Sequence, residues 1–155
     1  MTPYLKRYLN KKNSTQLLVI RNEIDRLLNQ KSSASLKLKL KNKHQSFVLE
    51  KMAKAWGIEA EAALTKKRNA DLMQYKHAVR YALRNVTNMP FQKIGKMLNC
   101  DHASVVHSIY FVEDCALTNT AYFKKCEDFS EFLRNLLAKL NFEEGQKELI
   151  ENLTN

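Results

Sequence analysis

Apolar positions recur at helical spacing through most of this chain, and strict alternation occurs in one short stretch only. The run from Phe91 to Val112, FQKIGKMLNCDHASVVHSIYFV, predicts a short helix, a tight turn and a second helix. Ile94 and Leu98 are four apart and share a face, and Gly95 has no side chain to hold the second helix away. Asn99 stands where the chain must reverse and tolerates a left-handed backbone. Asp101 suits the N-cap of a helix that starts at His102, where its carboxylate can accept the amides of Ala103 and Ser104. Val105, Ser108, Ile109 and Val112 then point inward, while His102, Ala103, His107 and Tyr110 fall on other faces. Such a pair is a helix-turn-helix, whose second helix lays its N-terminal residues against base edges in the major groove. The same pattern also suits an ordinary helical hairpin in a bundle.

The flanking segments predict further helices. Between Tyr4 and Gln30, Leu17, Ile20, Ile24, Leu27 and Leu28 make an apolar stripe, with Ser14 as a possible cap. That stripe needs a partner, either the rest of the chain or a second copy. In KSSASLKLKLKNKH, residues 31–44, Leu36, Leu38 and Leu40 alternate with lysines, as in a short strand or an extended basic linker. A helix from Gln45 to Trp56 should bury Phe47, Leu49, Met52, Ala53 and Trp56, with Gly57 ending it. A helical turn near Glu59 to Leu64 leads to Thr65, Lys66, Lys67 and Arg68, which read as a phosphate clamp or a solvated loop. Tyr75 to Thr87 predicts a helix with Ala78, Val79, Ala82, Leu83 and Val86 inside and a cationic ridge of Lys76, Arg80 and Arg84. Pro90 breaks that helix and starts the next. Asp114 to Thr120 reads as a fray and turn. Ala121 to Leu140 reads as a long helix burying Phe129, Phe132, Leu133, Leu136 and Leu140, followed by a short helix or loose tail. The expected organisation is an N-terminal extension and linker (1–44), a helical domain (45–140) and a tail (141–155).

Composition narrows the class. Three glycines and two prolines in 155 residues, with 45% hydrophobic residues, favour an all-α fold with a real core. Lys and Arg number 26 against 16 Asp and Glu, a net charge of +10 that predicts attraction to polyanions. No apolar run approaches the roughly 20 residues of a membrane helix, and no signal-peptide core is present. A cytoplasmic, DNA-associated protein is expected, or a virion-associated one. Cys100, Cys115 and Cys126 form no CxxC pair, so reduced thiols are expected. A metal site from Cys100, His102, His107 and Cys115 matches no standard zinc spacing.

The residues IGKMLNCDHASVVHSIYFVE resemble the signature of the C-terminal DNA-binding domain (domain IV) of the bacterial replication initiator DnaA, a Trp-repressor-like helix-turn-helix. Its usual form is close to IG, an apolar residue, a basic residue, then DHTTV and H. The likeness begins near Phe47, where VLEKMAKAWGIEAEAALTKKRN resembles the family's leading helix and basic loop, and runs to EDFSEFLRNL at Glu127 to Leu136. Three departures stand out: the turn is one residue shorter, Cys100 replaces a basic residue, and Ala103 replaces the first Thr.

The resemblance implies two kinds of DNA contact. Lys66, Lys67, Lys76, Arg80, Lys93 and Lys96 would neutralise phosphates without reading sequence. His102, Ala103 and Ser104, led by Asp101, match the base-reading His-Thr-Thr, and His107 matches the later His. Arg68 matches a minor-groove arginine, and Lys76 with His77 match an Arg-Gln contact. An imidazole or hydroxyl can bond a base edge, Ala103 offers only apolar contact to a thymine methyl, and His77 cannot be bidentate to adenine as Gln can. No GxxxxGK[ST] loop is present, so ATP-driven origin melting is not expected. The expected partner is double-stranded DNA, with self-association or a protein partner possible through the N-terminal helices. No cofactor, membrane or small-molecule substrate is expected. The competing class is a non-enzymatic adaptor that keeps the helical fold for protein contacts, as in a phage particle or replisome.

Overall fold

The computed structural model describes residues 37–65 and 69–154. The apolar stripe between Leu17 and Leu28, Leu36, and the basic residues Lys66, Lys67 and Arg68 lie outside the described residues. The described chain is all-helical, without a strand. A single 3-10 turn (Asn42–His44) precedes α1 (Gln45–Trp56), α2 (Ala60–Ala63), α3 (Ala70–Val86), α4 (Phe91–Met97), α5 (His102–Thr118) and α6 (Thr120–Thr154).

Helix α3 is the axis of the domain, because it is apolar on more than one face. Leu72, Tyr75, Ala78, Val79, Ala82, Leu83 and Val86 are all buried, and α5 and α6 pack along it as its principal neighbours. Each fully buried Leu or Val contributes about 1.5–3 kcal/mol, so this one helix anchors much of the fold. It starts at Ala70, where the Asn69 side chain accepts the Leu72 amide at 2.8 Å. The helix is five residues longer at its start than the apolar spacing predicts, because the Asn69 cap and the buried Leu72 carry it back to Ala70.

Helix α1 ends at Gly57 as its left-handed backbone (φ 82°) requires. Its inward face is rotated from the expected one: Val48, Met52 and Ala53 are buried, whereas Phe47 is exposed. Val48, Met52 and the i+3/i+4 rows around them meet α3 and α6, and Phe47 instead lies under the Lys51 ammonium, 5.2 Å from its ring centroid. Trp56 packs edge-on to Phe129 and Tyr75, at centroid distances of 5.0 and 6.1 Å.

The expected fray at Asp114 to Thr120 is absent. α5 continues through it because Asp114, Cys115 and Ala116 are buried there, and only Asn119 interrupts the helices. Likewise α6 runs unbroken to Thr154, so the tail continues the helix. Tyr122, Phe123, Cys126, Leu133 and Leu137 join Phe129 in the core, while Phe132 is exposed.

The alternating segment from Lys37 is an extended strap rather than a strand. Leu40 is buried, Leu38 donates its amide to Val86 at 2.8 Å, and the lysines face outward. Its basic end is tied to α6: Lys41, Lys43 and His44 all converge on Glu144, at 2.6 Å for Lys41 and 2.7 Å for His44. His44 thus joins the two lysines in one polar cluster around Glu144. Glu144 is held down at about 2 by hydrogen bonds from these three groups.

Candidate nucleic-acid interface

The turn between α4 and α5 is built from three local choices. Gly95 is buried, and a Cβ on it would meet the Cys100 carbonyl oxygen at 2.6 Å and the Asp101 carbonyl carbon at 3.3 Å. The glycine therefore admits the turn itself, not a side chain of α5. Asn99 takes the left-handed conformation (φ 50°), and the Cys100 amide closes back on the Gly95 carbonyl at 2.9 Å. Asp101 then caps α5 by accepting the Ser104 amide at 2.7 Å. That bond and the Ser104 hydroxyl hold the Asp101 carboxyl below its ordinary range.

This turn projects the leading end of α5 outward. Asp101, His102 and Ala103 are exposed, Ser104 is half-buried, and His107 is exposed one turn further on. Val105, Ser108, Ile109 and Val112 face the core. No neighbouring element among the described residues covers the His102–Ala103 end, so it is accessible to a duplex groove.

Beside it lies a groove of about 910 Å³ bounded by α3, α4, the turn and the first turns of α5. Lys76, His77, Arg80, Lys96, Asp101, Ser104 and His107 line it, which brings together most of the candidate positions. Lys93 is exposed on α4 outside the groove lining, as are His102 and Ala103. The ridge expected on α3 is not a solvated one. Lys76 and Arg80 are each only 8% exposed, because that face of α3 turns toward α5. The Lys76 ammonium reaches the Thr65 carbonyl. Arg84 instead lies over the Phe91 ring, 4.6 Å from its centroid.

The sequence places Ser108 only on the inward stripe of α5, but its buried hydroxyl also joins α5 to two side chains that line the groove. The Ser108 hydroxyl lies 2.9 Å from Arg80 Nη1, 2.9 Å from His77 Nδ1 and 2.8 Å from the Ser104 carbonyl. Its single proton goes to the carbonyl, so it accepts from the other two. His77 must then carry its proton on Nδ1, which leaves Nε2 bare as an acceptor. Burial, with the nearby Arg80 charge and His107, pushes the His77 imidazole down to about 4 and keeps it neutral. Its ring packs on Phe111 at 4.6 Å. The sequence signal for Ser108 was a hydroxyl on an otherwise apolar stripe, opposite two polar residues of α3.

Among the described residues no helix is long and apolar enough to cross a membrane. The three cysteines are free, with Cys115 and Cys126 buried; burial pushes the Cys126 thiol up to about 12.

Comparison with known proteins agrees with this geometry. The family model described as bacterial DnaA protein helix-turn-helix matches residues 45–112, from the start of α1 into α5. Over 88 residues the chain is 27% identical to the chromosomal replication initiator protein DnaA of Bacteroides thetaiotaomicron, covering 56% of this chain and 19% of that protein. Over 62 residues it is 29% identical to the DnaA of Mycoplasma genitalium, covering 40% of this chain and 14% of that protein. The chain thus matches less than a fifth of the length of these relatives. Over residues 45–112 this chain carries a helix-turn-helix similar to the C-terminal DNA-binding domain of the bacterial initiator DnaA.

Proposed function

We propose that this protein binds double-stranded DNA with sequence preference, at replication-origin-like or promoter sites, and acts by occupying them without ATP-driven remodelling. The observation that carries this reading is the open leading end of α5, where exposed His102 and Ala103 stand beside a groove lined by cations. α5 enters the major groove with His102, Ala103 and Ser104 toward base edges, and His107 follows the same face. Lys93 and Lys96 on α4, with Lys76 and Arg80 on α3, meet phosphates on the flanking backbone. By the family resemblance, Lys66 and Lys67 would add phosphate contacts and Arg68 a minor-groove contact. The net charge of +10 supplies the sequence-independent part of the attraction.

The adaptor reading draws on one observation. Tyr110 and Phe111 are adjacent on α5 and 50% and 40% exposed, an apolar patch suited to a protein partner. A gel-shift series with a duplex carrying a DnaA box and a scrambled duplex, at two salt concentrations, separates the two. Binding to both duplexes at low salt, tighter on the box and steeply weaker at the higher salt, supports DNA recognition. No shift at low salt overturns it in favour of the adaptor.

A further inference from the structure

Arg80 is a buried cation with no ion-pair partner among the described residues. Its side chain is more than nine-tenths buried at the floor of the groove. Nη1 donates to the neutral Ser108 hydroxyl, and Nε is buried with no acceptor. No carboxylate forms an ion pair with it among the described residues. Asp101 shares the groove and senses the Arg80 charge, but its Oδ1 is committed to capping α5 through the Ser104 amide. The other titratable groups facing the groove make matters worse: Lys76 and Lys96 add positive charge, and His77 is neutral. Burying a cation without a counter-ion is costly, and a protein bears that cost where a ligand removes it.

The geometry points to Arg80 as the seat of one particular DNA phosphate, with Ser108 as the positioning residue that holds the guanidinium in place. The inference rests on the reading of this chain as a duplex-DNA binder. A guanidinium with one nitrogen anchored still offers N–H donors in a fixed fork, which matches two oxygens of a phosphodiester. The groove adjoins the leading end of α5, so a phosphate seated there sets the depth and register of that helix in the major groove. Exposed lysines are screened by salt and tolerate displacement along the backbone; a buried seat is screened far less and accepts one position. Arg80 therefore pins register, and the surface cations supply general attraction.

The test uses the full chain and a set of duplexes, each with one phosphate replaced by an uncharged methylphosphonate. Wild type should lose roughly ten- to a hundredfold in affinity at a single position, the range of one charge-assisted hydrogen-bonded contact. Arg80→Met should be insensitive at that position while keeping its response elsewhere, and Ser108→Ala should fall between. A measurement on the free protein guards against a merely structural role. Arg80→Met should melt no lower than wild type in chloride, since it removes an unpaired buried charge. Inorganic phosphate at matched ionic strength should raise the melting temperature of wild type only. Unchanged single-phosphate sensitivity in Arg80→Met, or a lower melting temperature, overturns the seat. If wild type shifts no duplex, the DNA reading falls, and the inorganic-phosphate arm alone decides. A rise specific to wild type then upholds an anion seat for another phosphorylated ligand, and no rise overturns it.

Discussion

The carbonyl oxygen of Cys100 lies 2.6 Å from where a Cβ on Gly95 would stand, so the turn between α4 and α5 closes onto the backbone of α4 with no room for a methyl group. Backbone cannot swing aside as a side chain can. Gly95→Ala is therefore expected to destabilise the domain by about 1–3 kcal/mol, despite alanine's better helix propensity. Urea unfolding measures it, and an alanine variant as stable as wild type would show that the turn yields.

Acidification should weaken the fold through His77. Its folded value of about 4 lies below the ordinary 6.5. The unfolded chain thus binds the proton first. Stability is fully present above pH 6.5 and falls as pH drops toward 4, by about 2 kcal/mol once partial exposure is allowed for. His77→Gln should flatten the denaturation midpoint across that window. Nitrogen-15 shifts of the His77 ring at neutral pH should show Nδ1 protonated and Nε2 bare; the opposite tautomer would contradict the Ser108 bonding pattern.

Glu144 gathers Lys41, Lys43 and His44 and so clamps the strap from Lys37 to the distal part of α6. Its value of about 2 lies below the ordinary carboxylate range. Its contribution is present above about pH 4.5 and is lost as pH falls toward 2. Glu144→Gln should speed amide hydrogen exchange across residues 37–44 at neutral pH and leave α3 unchanged. Equal exchange in the two proteins would mean that Leu38 and Leu40 hold the strap without the charges.

Base reading and backbone binding should separate by mutation. His102→Ala should erode discrimination at one base pair by about 1–3 kcal/mol and spare binding to random duplex. Lys93→Ala or Lys96→Ala should weaken every sequence and reduce the salt slope by about one. Equal loss on specific and random duplex from His102→Ala, measured by fluorescence anisotropy, would remove that residue from the reading surface.

The chain's linear pattern settled the local features on its own. Gly57 and Asn99 adopt left-handed backbones, Asp101 caps α5, and Val105, Ile109 and Val112 face inward. Each depends on residues within a few positions, where propensity, capping and periodicity act directly. Tertiary packing decided the rest. The four-residue spacing of Lys76 and Arg80 placed them on one face of α3, but only the docking of α5 onto that face buried them and set Arg80 against Ser108. The same packing carried α5 through Asp114 and Ala116, turned Phe47 and Phe132 outward, and brought Glu144 across a hundred residues to His44. Burial and charge pairing are set by which faces meet, and that is a property of the whole fold rather than of any window of sequence.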